Sequence, residues 1–139
     1  MKIAGVQMDV KFGDIDGNLE RIISRLRETV ANGADLTVFP ECSVTGYCFD
    51  SLEEAQRYAQ PIPGEATSRM AAVCKELSTN AIFGMIEQAG DKTYNAAVMN
   101  GPDGVIGKYR KVHLPYLGLD QFASFGDGPF EVVLSLIHI

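Results

Sequence analysis

The chain has 139 residues, of which 46% are hydrophobic and 22% are charged, and its formal net charge is −6 at pH 7. This length is sufficient for one globular domain with one hydrophobic core and is too short for two. Because acidic and basic residues are interspersed and no block of lysine or arginine occurs, we expect no nucleic-acid partner and no membrane partner.

The cysteines and the N-terminus indicate the cellular setting. Cys42, Cys48 and Cys74 are odd in number and irregularly spaced, which argues against a disulfide framework. The apolar run at the N-terminus is interrupted by Gln7 and Asp9, so it is too short for a secretion signal. No stretch of the sequence approaches transmembrane length. We therefore expect a cytoplasmic protein.

The first 40 residues have the pattern of a strand–helix–strand unit. A strand is predicted at residues 2–7, and a turn-rich segment at 13–17 precedes a helix that runs to about Asn32. The apolar face of this helix has helical spacing and contains Leu19, Ile22, Ile23, Leu26 and Val30. Gly33 is placed to end the helix, and residues 36–39 follow as a short buried strand. This order favours two neighbouring strands in one sheet.

The rest of the chain predicts two more helices and three more strands. The helices are a weak one at 52–59 and a well-patterned one at 65–77. The strands are predicted at 80–86, 94–100 and 105–109. The turn at 101–104 is expected to join the last two strands as a hairpin. The order predicts an α/β fold, in which helices pack on one side of a mixed sheet.

Glu41 is the first candidate catalytic residue, because it directly follows the strand predicted at 36–39. Ligand-binding groups of open α/β sheets gather beyond the carboxyl ends of the strands. Pro40 fixes its own φ angle and favours an extended Phe39, so the exit from the strand is stiff. A carboxylate held in this way in a partly apolar pocket is suited to act as a general base. On the local sequence alone, a surface carboxylate on a loop is the simpler explanation.

Lys111 is the second candidate and lies where the strand predicted at 105–109 ends. Alternation along an extended chain places Lys111 and Tyr109 on one side and Arg110 on the other. An ammonium group beside a glutamate can donate to the oxyanion of a tetrahedral intermediate. For this segment by itself, a solvated cationic strand end is again the simpler explanation.

The two histidines have less distinctive positions. Alternation turns His113 to the same side as Lys111, so His113 is a candidate for the wall of a site. A structural histidine that bonds to the backbone is the simpler explanation. His113 and His138 are far apart and have no acidic residues at metal-ligand spacing, so we expect no metal site.

Several short motifs occur in an order that resembles the nitrilase, or carbon–nitrogen hydrolase, superfamily. The first three are Asn18-Leu19, residues 33–41 and Thr45-Gly46-Tyr47. The next four are Ile62-Pro63-Gly64, Tyr94-Asn95-Ala96-Ala97, Gly101-Pro102-Asp103-Gly104 and residues 107–114. Each motif is modest alone, but so many in one order, from residue 2 to about 133, are not expected by chance. The chain is therefore identified as a member of this superfamily.

The resemblance implies a four-layer α-β-β-α sandwich and hydrolysis or condensation at an amide or nitrile carbon. It implies that Glu41 is the general base and Lys111 the catalytic lysine. In this superfamily a cysteine attacks the carbon and forms a thioester, which water activated by the glutamate then hydrolyses. It also implies a small-molecule amide or nitrile substrate, no cofactor, and a homo-oligomeric full-length protein.

The chain departs from the superfamily pattern in two places. Beyond residue 133 the superfamily continues through a glycine turn into a strand that ends at the nucleophilic cysteine, but residues 134–139 contain neither. We therefore expect residues 1–133 to be the N-terminal portion of a hydrolase domain and 134–139 to be a foreign tail. Near Asp120 the superfamily has a second glutamate, which positions the substrate or the base. Either Asp120 replaces this glutamate, or another residue has that role. Tyr47, His113 and Asp120 are the candidates for the site wall.

None of the three cysteines is expected to replace the nucleophile. Cys42 follows Glu41 directly, so in an extended chain their side chains point to opposite faces. Cys48 lies in a predicted loop without a local base, and Cys74 lies on the buried face of a helix. We expect a chain without the nucleophile to be inactive.

Three functional interpretations follow. The first is the N-terminal part of an amidase-like hydrolase that acts on a small linear amide, a carbamoyl compound or an ω-amino-acid-type amide. The second is a non-catalytic binding or assembly module that retains the Glu41–Lys111 pair. The third is the glutamine-hydrolysing domain of a larger synthetase. The first predicts exposed apolar sheet surface and aggregation, whereas the second predicts cooperative unfolding.

Overall fold

The computed structural model describes residues 1–132, which form five strands, three α-helices and one short 3₁₀ helix. The strands are β1 (Ile3–Gly5), β2 (Leu36–Val38), β3 (Asn80–Ala89), β4 (Lys92–Gly101) and β5 (Gly104–Arg110). The helices are α1 (Ile15–Ala31), α2 (Leu52–Gln56) and α3 (Glu65–Leu77), and the 3₁₀ helix spans Gly118–Gln121. The predicted α/β order is confirmed. The predicted boundary at residue 133 and the tail at 134–139 lie outside the described residues.

The five strands form one mixed sheet in which spatial order equals chain order, β1-β2-β3-β4-β5. β1 and β2, and β2 and β3, pair in parallel, whereas β4 is antiparallel to both β3 and β5. The helical segments make the parallel crossovers, and tight turns join the antiparallel strands. The predicted hairpin at 101–104 is confirmed, because Gly101 pairs with Gly104.

Several strand boundaries differ from the prediction. β1 ends at Gly5 rather than at residue 7, although the Val6 amide still donates to the Val38 carbonyl at 2.9 Å. β3 and β4 extend towards each other until Ala89 pairs with Lys92, and Gly90 makes the turn with a φ of 62°. The sequence did not predict this second hairpin, because polar residues such as Glu87 interrupt the apolar pattern there.

Helix α1 has the boundaries that its end residues favour. The Asp14 carboxylate accepts a hydrogen bond from the Gly17 amide at 3.1 Å and caps the first turn. At the other end Asn32 caps the helix and Gly33 takes a φ of 83°, a conformation that glycine adopts without a steric penalty. The predicted apolar face is confirmed, because its residues are buried in the core or packed against it.

Helices α1 and α3 pack on one face of the sheet, as predicted. The core there combines residues of the two helices with alternate residues of β3 and β4, among them Leu19, Ile22, Met70, Val73, Phe83, Met85, Ala96 and Val98. Residues 1–132 therefore contain one helical layer and one sheet layer. Among these residues, none of the helices combines the length and hydrophobicity that crossing a bilayer requires.

The second face of the sheet carries the side chains that alternate with the core residues. It includes Ile82 and Gly84 of β3 and Ala97 and Met99 of β4, which pair across the two strands. A smaller cluster packs at one end of this face and contains Cys42, Phe49, Ala55, Ile86 and Leu119. The loops that follow β2 and β5 are therefore held close to each other at this end.

Candidate active site

Glu41 and Lys111 meet on the second face of the sheet, although 70 residues separate them in the chain. The Lys111 Nζ donates to Glu41 Oε1 at 2.6 Å and to Asp120 Oδ2 at 2.6 Å. The two residues that the sequence singled out are thus brought together, and Asp120 completes a triad of charges. Their catalytic roles stay a prediction.

The main chain around Glu41 is fixed to β3 beyond the end of β2. The Phe39 amide donates to the Ile82 carbonyl at 2.8 Å, and the Gly84 amide donates to the Pro40 carbonyl at 3.2 Å. A Cβ atom at Gly84 would lie 2.4 Å from the Cys42 nitrogen and 2.8 Å from the Glu41 Cα. The loop therefore needs a glycine at residue 84 in order to rest directly on the sheet.

The main chain of Lys111 is held on both sides. Its amide donates to the Asn95 carbonyl at 2.9 Å, which continues the β4–β5 pairing, and its carbonyl accepts from the Gly126 amide at 2.9 Å. Tyr109 and Lys111 line one groove, whereas Arg110 on the other side of the strand binds Glu87. The alternation that the sequence analysis predicted for these three side chains is confirmed.

Asp120 lies in the 3₁₀ helix and is only 2% exposed. Besides the bond from Lys111, its carboxylate accepts from the Tyr47 hydroxyl at 3.0 Å and from Asn95 Nδ2 at 2.8 Å. The Tyr47 carbonyl accepts from the Leu119 amide at 2.8 Å, so the two loops are also joined through their main chains. Asp120 and Tyr47 therefore belong to the hydrogen-bond network of Lys111, but neither lines the groove, and their role as site wall stays a prediction.

Asn95 is a member of the site that sequence reasoning missed. It lies in β4, is 4% exposed, and its Nδ2 donates to Glu41 Oε1 at 2.7 Å as well as to Asp120. The motif that contains Asn95 was noted for its resemblance, but no role was assigned to this side chain. An asparagine in a predicted strand, beside small apolar residues, indicates a buried amide that needs polar partners. This pattern could have identified Asn95.

The charges of the site keep Lys111 protonated. Burial by itself lowers the pKa of the Lys111 ammonium, but its bonds to Asp120 and Glu41 and the charges of those carboxylates raise the pKa above its ordinary value. Burial, followed by the bond to Asp120, raises the pKa of Tyr47 to about 12. Lys111 is thus a cationic hydrogen-bond donor at neutral pH and not a base.

His113 lies on the wall of the same groove, on the side that alternation predicts. The groove has a volume of about 470 Å³ and is lined mainly by apolar residues of β2, β3 and β4. His113 is exposed and makes no hydrogen bond to the other described residues, so they do not provide the backbone partner that the structural explanation requires. The described residues hold no group of three or more side chains arranged to bind a metal ion.

None of the three cysteines lines the groove. Cys42 has a φ of 46°, so the extended chain assumed in the sequence analysis was wrong, but its side chain is still buried while Glu41 lines the groove. Burial, followed by the charges of Glu41 and Asp120, raises the pKa of the Cys42 thiol. Cys48 is exposed, and burial in the core raises the pKa of Cys74 to about 11. Raised pKa values keep Cys42 and Cys74 as unreactive thiols.

Comparisons with known proteins identify relatives of the chain. Residues 2–136 match the family described as carbon-nitrogen hydrolase. The chain is 41% identical over 117 residues to a nitrilase of Pyrococcus abyssi, covering 84% of this chain and 45% of that protein. It is 37% identical over 115 residues to the Omega-amidase NIT2 of Homo sapiens, covering 81% of this chain and 40% of that protein.

A solved structure has the same fold. Nit3 of Saccharomyces cerevisiae, a member of branch 10 of the nitrilase superfamily, superposes with a TM-score of 0.76 at 24% identity. The match covers 92% of this chain and 49% of that one. The chain thus spans less than half the length of each of the three proteins compared.

Proposed function

The chain belongs to the carbon–nitrogen hydrolase family, and from that premise we propose that it supplies two catalytic groups of an amidase-like hydrolase. Glu41 is the general base and Lys111 is the donor to the oxyanion. The observation that carries this proposal is the position of Lys111 Nζ, which lies 2.6 Å from Glu41 in one groove and 2.6 Å from the buried Asp120. A base and a fixed cation in one groove are what acyl transfer requires.

The two oxygens of Glu41 have different surroundings. Oε1 accepts from Lys111 and from Asn95, whereas Oε2 accepts no hydrogen bond from the described residues. Oε2 is therefore the atom that we propose accepts the proton of the nucleophile and later that of the water. Lys111 remains an ammonium and stabilises the negative oxygen while the tetrahedral intermediate exists.

We propose that the nucleophile is a cysteine outside the described residues. Its thiol transfers a proton to Glu41 as its sulfur bonds to the carbonyl carbon of an amide. The carbon–nitrogen bond then breaks and the amine leaves with that proton. Water then adds to the thioester while Glu41 takes one of the water protons. The carbon–sulfur bond breaks, the carboxylic acid leaves, and Glu41 returns the proton to the cysteine thiolate. The 139-residue chain alone is proposed to be inactive, and the substrate is proposed to be a small amide or nitrile.

The setting of the reaction is also a proposal. The three free cysteines fit a reducing, cytoplasmic environment, because the described structure holds no disulfide that needs an oxidising one.

We propose a homo-oligomer for the full-length protein, which gel filtration with light scattering would test.

Sequencing the native gene through codon 133 and beyond is the first experiment. A frame that continues through a glycine turn into a strand with a cysteine would support the proposal. A stop codon directly after residue 139 would contradict it, because the reaction would then have no nucleophile.

Activity of the protein that carries this chain is the second experiment. We expect hydrolysis of a short ω-amide or an aliphatic nitrile, and a fall in kcat of about 100-fold or more in Glu41→Gln and Lys111→Met. Matched controls are Glu53→Gln and Lys75→Met, which lie on exposed helix surfaces. Equal activity in the site variants and the controls would contradict the roles of Glu41 and Lys111.

A further inference from the structure

We propose that Asn95 is a positioning residue of this site, whose amide group joins the two carboxylates and determines which oxygen of Glu41 faces the groove. The inference rests on the proposed role of Glu41 as the base. Four side chains take part, Glu41, Asn95, Lys111 and Asp120, and we call them the site ring because their hydrogen bonds form a closed circuit.

The main chain of Asn95 is held by the sheet, independently of its side-chain hydrogen bonds. It lies inside β4, where it pairs with Ile86 of β3, and its carbonyl accepts from the Lys111 amide at 2.9 Å. Its side chain is 4% exposed and points to the same sheet face as Gly84, on which the Glu41 loop rests. The position of its amide group is therefore set by the sheet and not by the mobile end of a long side chain.

The chemistry of the neighbours decides how the Asn95 amide is oriented. A side-chain amide has two N–H donors and one carbonyl acceptor, whereas an ionised carboxylate only accepts. The two N–H groups meet Glu41 Oε1 at 2.7 Å and Asp120 Oδ1 at 2.8 Å. The Asn95 oxygen lies 3.7 Å from the Cys42 sulfur, which carries a thiol donor. Every polar atom of Asn95 thus has a partner of the right kind.

The charges explain why a neutral donor is needed at this position. Two carboxylates share one ammonium, so the ring has one excess negative charge and the carboxylates repel each other. Lys111 bonds to one oxygen of each carboxylate, and Asn95 bonds to the same oxygen of Glu41 and to the other oxygen of Asp120. Without Asn95, Lys111 would be the only described donor to Glu41, whose side chain is 48% exposed. Its carboxylate could then rotate, and Oε2 would no longer stay the oxygen that is left without a described donor.

The test compares two buried asparagines of the same strand. Asn95→Leu removes both bonds to the ring at nearly constant shape, while Asn100→Leu removes the bond from Asn100 to the Thr67 carbonyl, outside the ring. In the protein that carries this chain, we expect Asn95→Leu to lower kcat by about 100-fold, as a misplaced catalytic group does, with KM changed less than about threefold. Asn100→Leu should retain kcat. A retained kcat in Asn95→Leu, or an equal loss in both variants, would overturn the proposal.

A spectroscopic measurement separates this inference from the proposed function. The side-chain amide signals of Asn95, assigned by NMR with ¹⁵N-asparagine, should shift in both Glu41→Gln and Asp120→Asn, whereas those of Asn100 should not. If the wild-type protein hydrolyses no amide or nitrile, the proposed function fails, and these shifts still decide whether Asn95 joins the two carboxylates. Absence of both shifts would overturn the positioning role even in an active enzyme.

Discussion

Asp120 is nearly inaccessible to solvent and accepts hydrogen bonds from three side chains, Tyr47, Asn95 and Lys111. Asp120→Ala would leave all three donors without this acceptor. Removing one member of a buried ion pair leaves the other charge without a partner in a low-dielectric interior. We therefore expect the free energy of unfolding to fall by about 3 kcal/mol. Urea denaturation followed by circular dichroism would measure this change.

The matched control for Asp120 is Asp9→Ala, since Asp9 is exposed and makes no hydrogen bond to the other described residues. A surface substitution of this kind should change the free energy of unfolding by less than about 0.5 kcal/mol. If Asp120→Ala were no more harmful than Asp9→Ala, the described network would not contribute to stability.

Tyr47 makes the stability of the chain sensitive to alkaline pH. Its pKa is raised to about 12 in the folded state, against about 10 for an unperturbed tyrosine, so the folded state binds this proton more tightly. The resulting stabilisation is complete below about pH 10 and is lost as pH rises towards about 12. We expect Tyr47→Phe to lose less stability than wild type over this range, measured by urea denaturation at each pH.

The control for Tyr47 is Tyr116→Phe, because Tyr116 is 68% exposed. Tyr116→Phe should lose as much stability at alkaline pH as the wild type does. An absorbance titration at the tyrosinate band should also lose its last step, near pH 12, in Tyr47→Phe only.

Among the structural elements, β3 and β5 are joined by a charged network on the helix-covered side of the sheet. Glu87 is 1% exposed and binds Arg110 at 2.7 Å and also Lys108, and Arg110 continues to Asp127 at 2.7 Å. Burial by itself raises the pKa of Glu87, but the bonds from Arg110 and Lys108 outweigh burial, and the pKa lies below its ordinary value. The network therefore ties the end of β5, directly before Lys111, to the β3–β4 hairpin.

We expect Glu87→Gln to lower the free energy of unfolding by about 3 kcal/mol near neutral pH, because two cations lose a buried anionic partner. The lowered pKa means that this contribution is present above about pH 4.5 and is lost as pH falls through the folded-state pKa. Thermal unfolding at pH 7 and pH 3 would measure both effects. Glu53→Gln is the exposed control, and an equal difference from wild type at both pH values would contradict the prediction.

Sequence reasoning succeeded where local pattern determines structure. The apolar spacing of α1 and the glycine after it predicted the helix. The positions of Glu41 and Lys111 at strand ends made both residues candidates, and the family resemblance selected them. Local pattern failed for Asn95 and for the length of β3. Nothing near Asn95 indicates that its amide reaches Glu41, because that contact depends on the pairing of β3 with β4. The length of β3 was missed because the partners that bury Glu87 lie on β5.

At the scale of the whole molecule, residues 1–132 leave part of the second sheet face open. An apolar groove there is lined by Leu36, Ile82, Ala97, Met99, Gly107, Tyr109 and Phe130, and Phe130 is 74% exposed while it stacks on Tyr109. We expect the isolated 139-residue chain to bind a hydrophobic fluorescent dye and to self-associate, because exposed apolar surface promotes both. Dye titration and sedimentation velocity would measure these properties.

The variant for the second sheet face is Met99→Lys, which places a charge in this groove and should reduce both dye binding and self-association. Lys75→Met lies outside the groove on exposed helix surface and should not reduce either property. A monomer that binds no dye and unfolds in one cooperative transition would contradict this prediction and favour a self-contained binding module.

The agreement between the order of strands in the chain and in the sheet has a consequence for protein synthesis. Each of the five described strands leaves the ribosome directly after the strand beside which it lies, so none of these five has to insert between two others. Lys111 emerges 70 residues after Glu41, once β1 to β4 have left the exit tunnel in order. We therefore expect β1 to β4 to be available for pairing before Lys111 can reach Glu41.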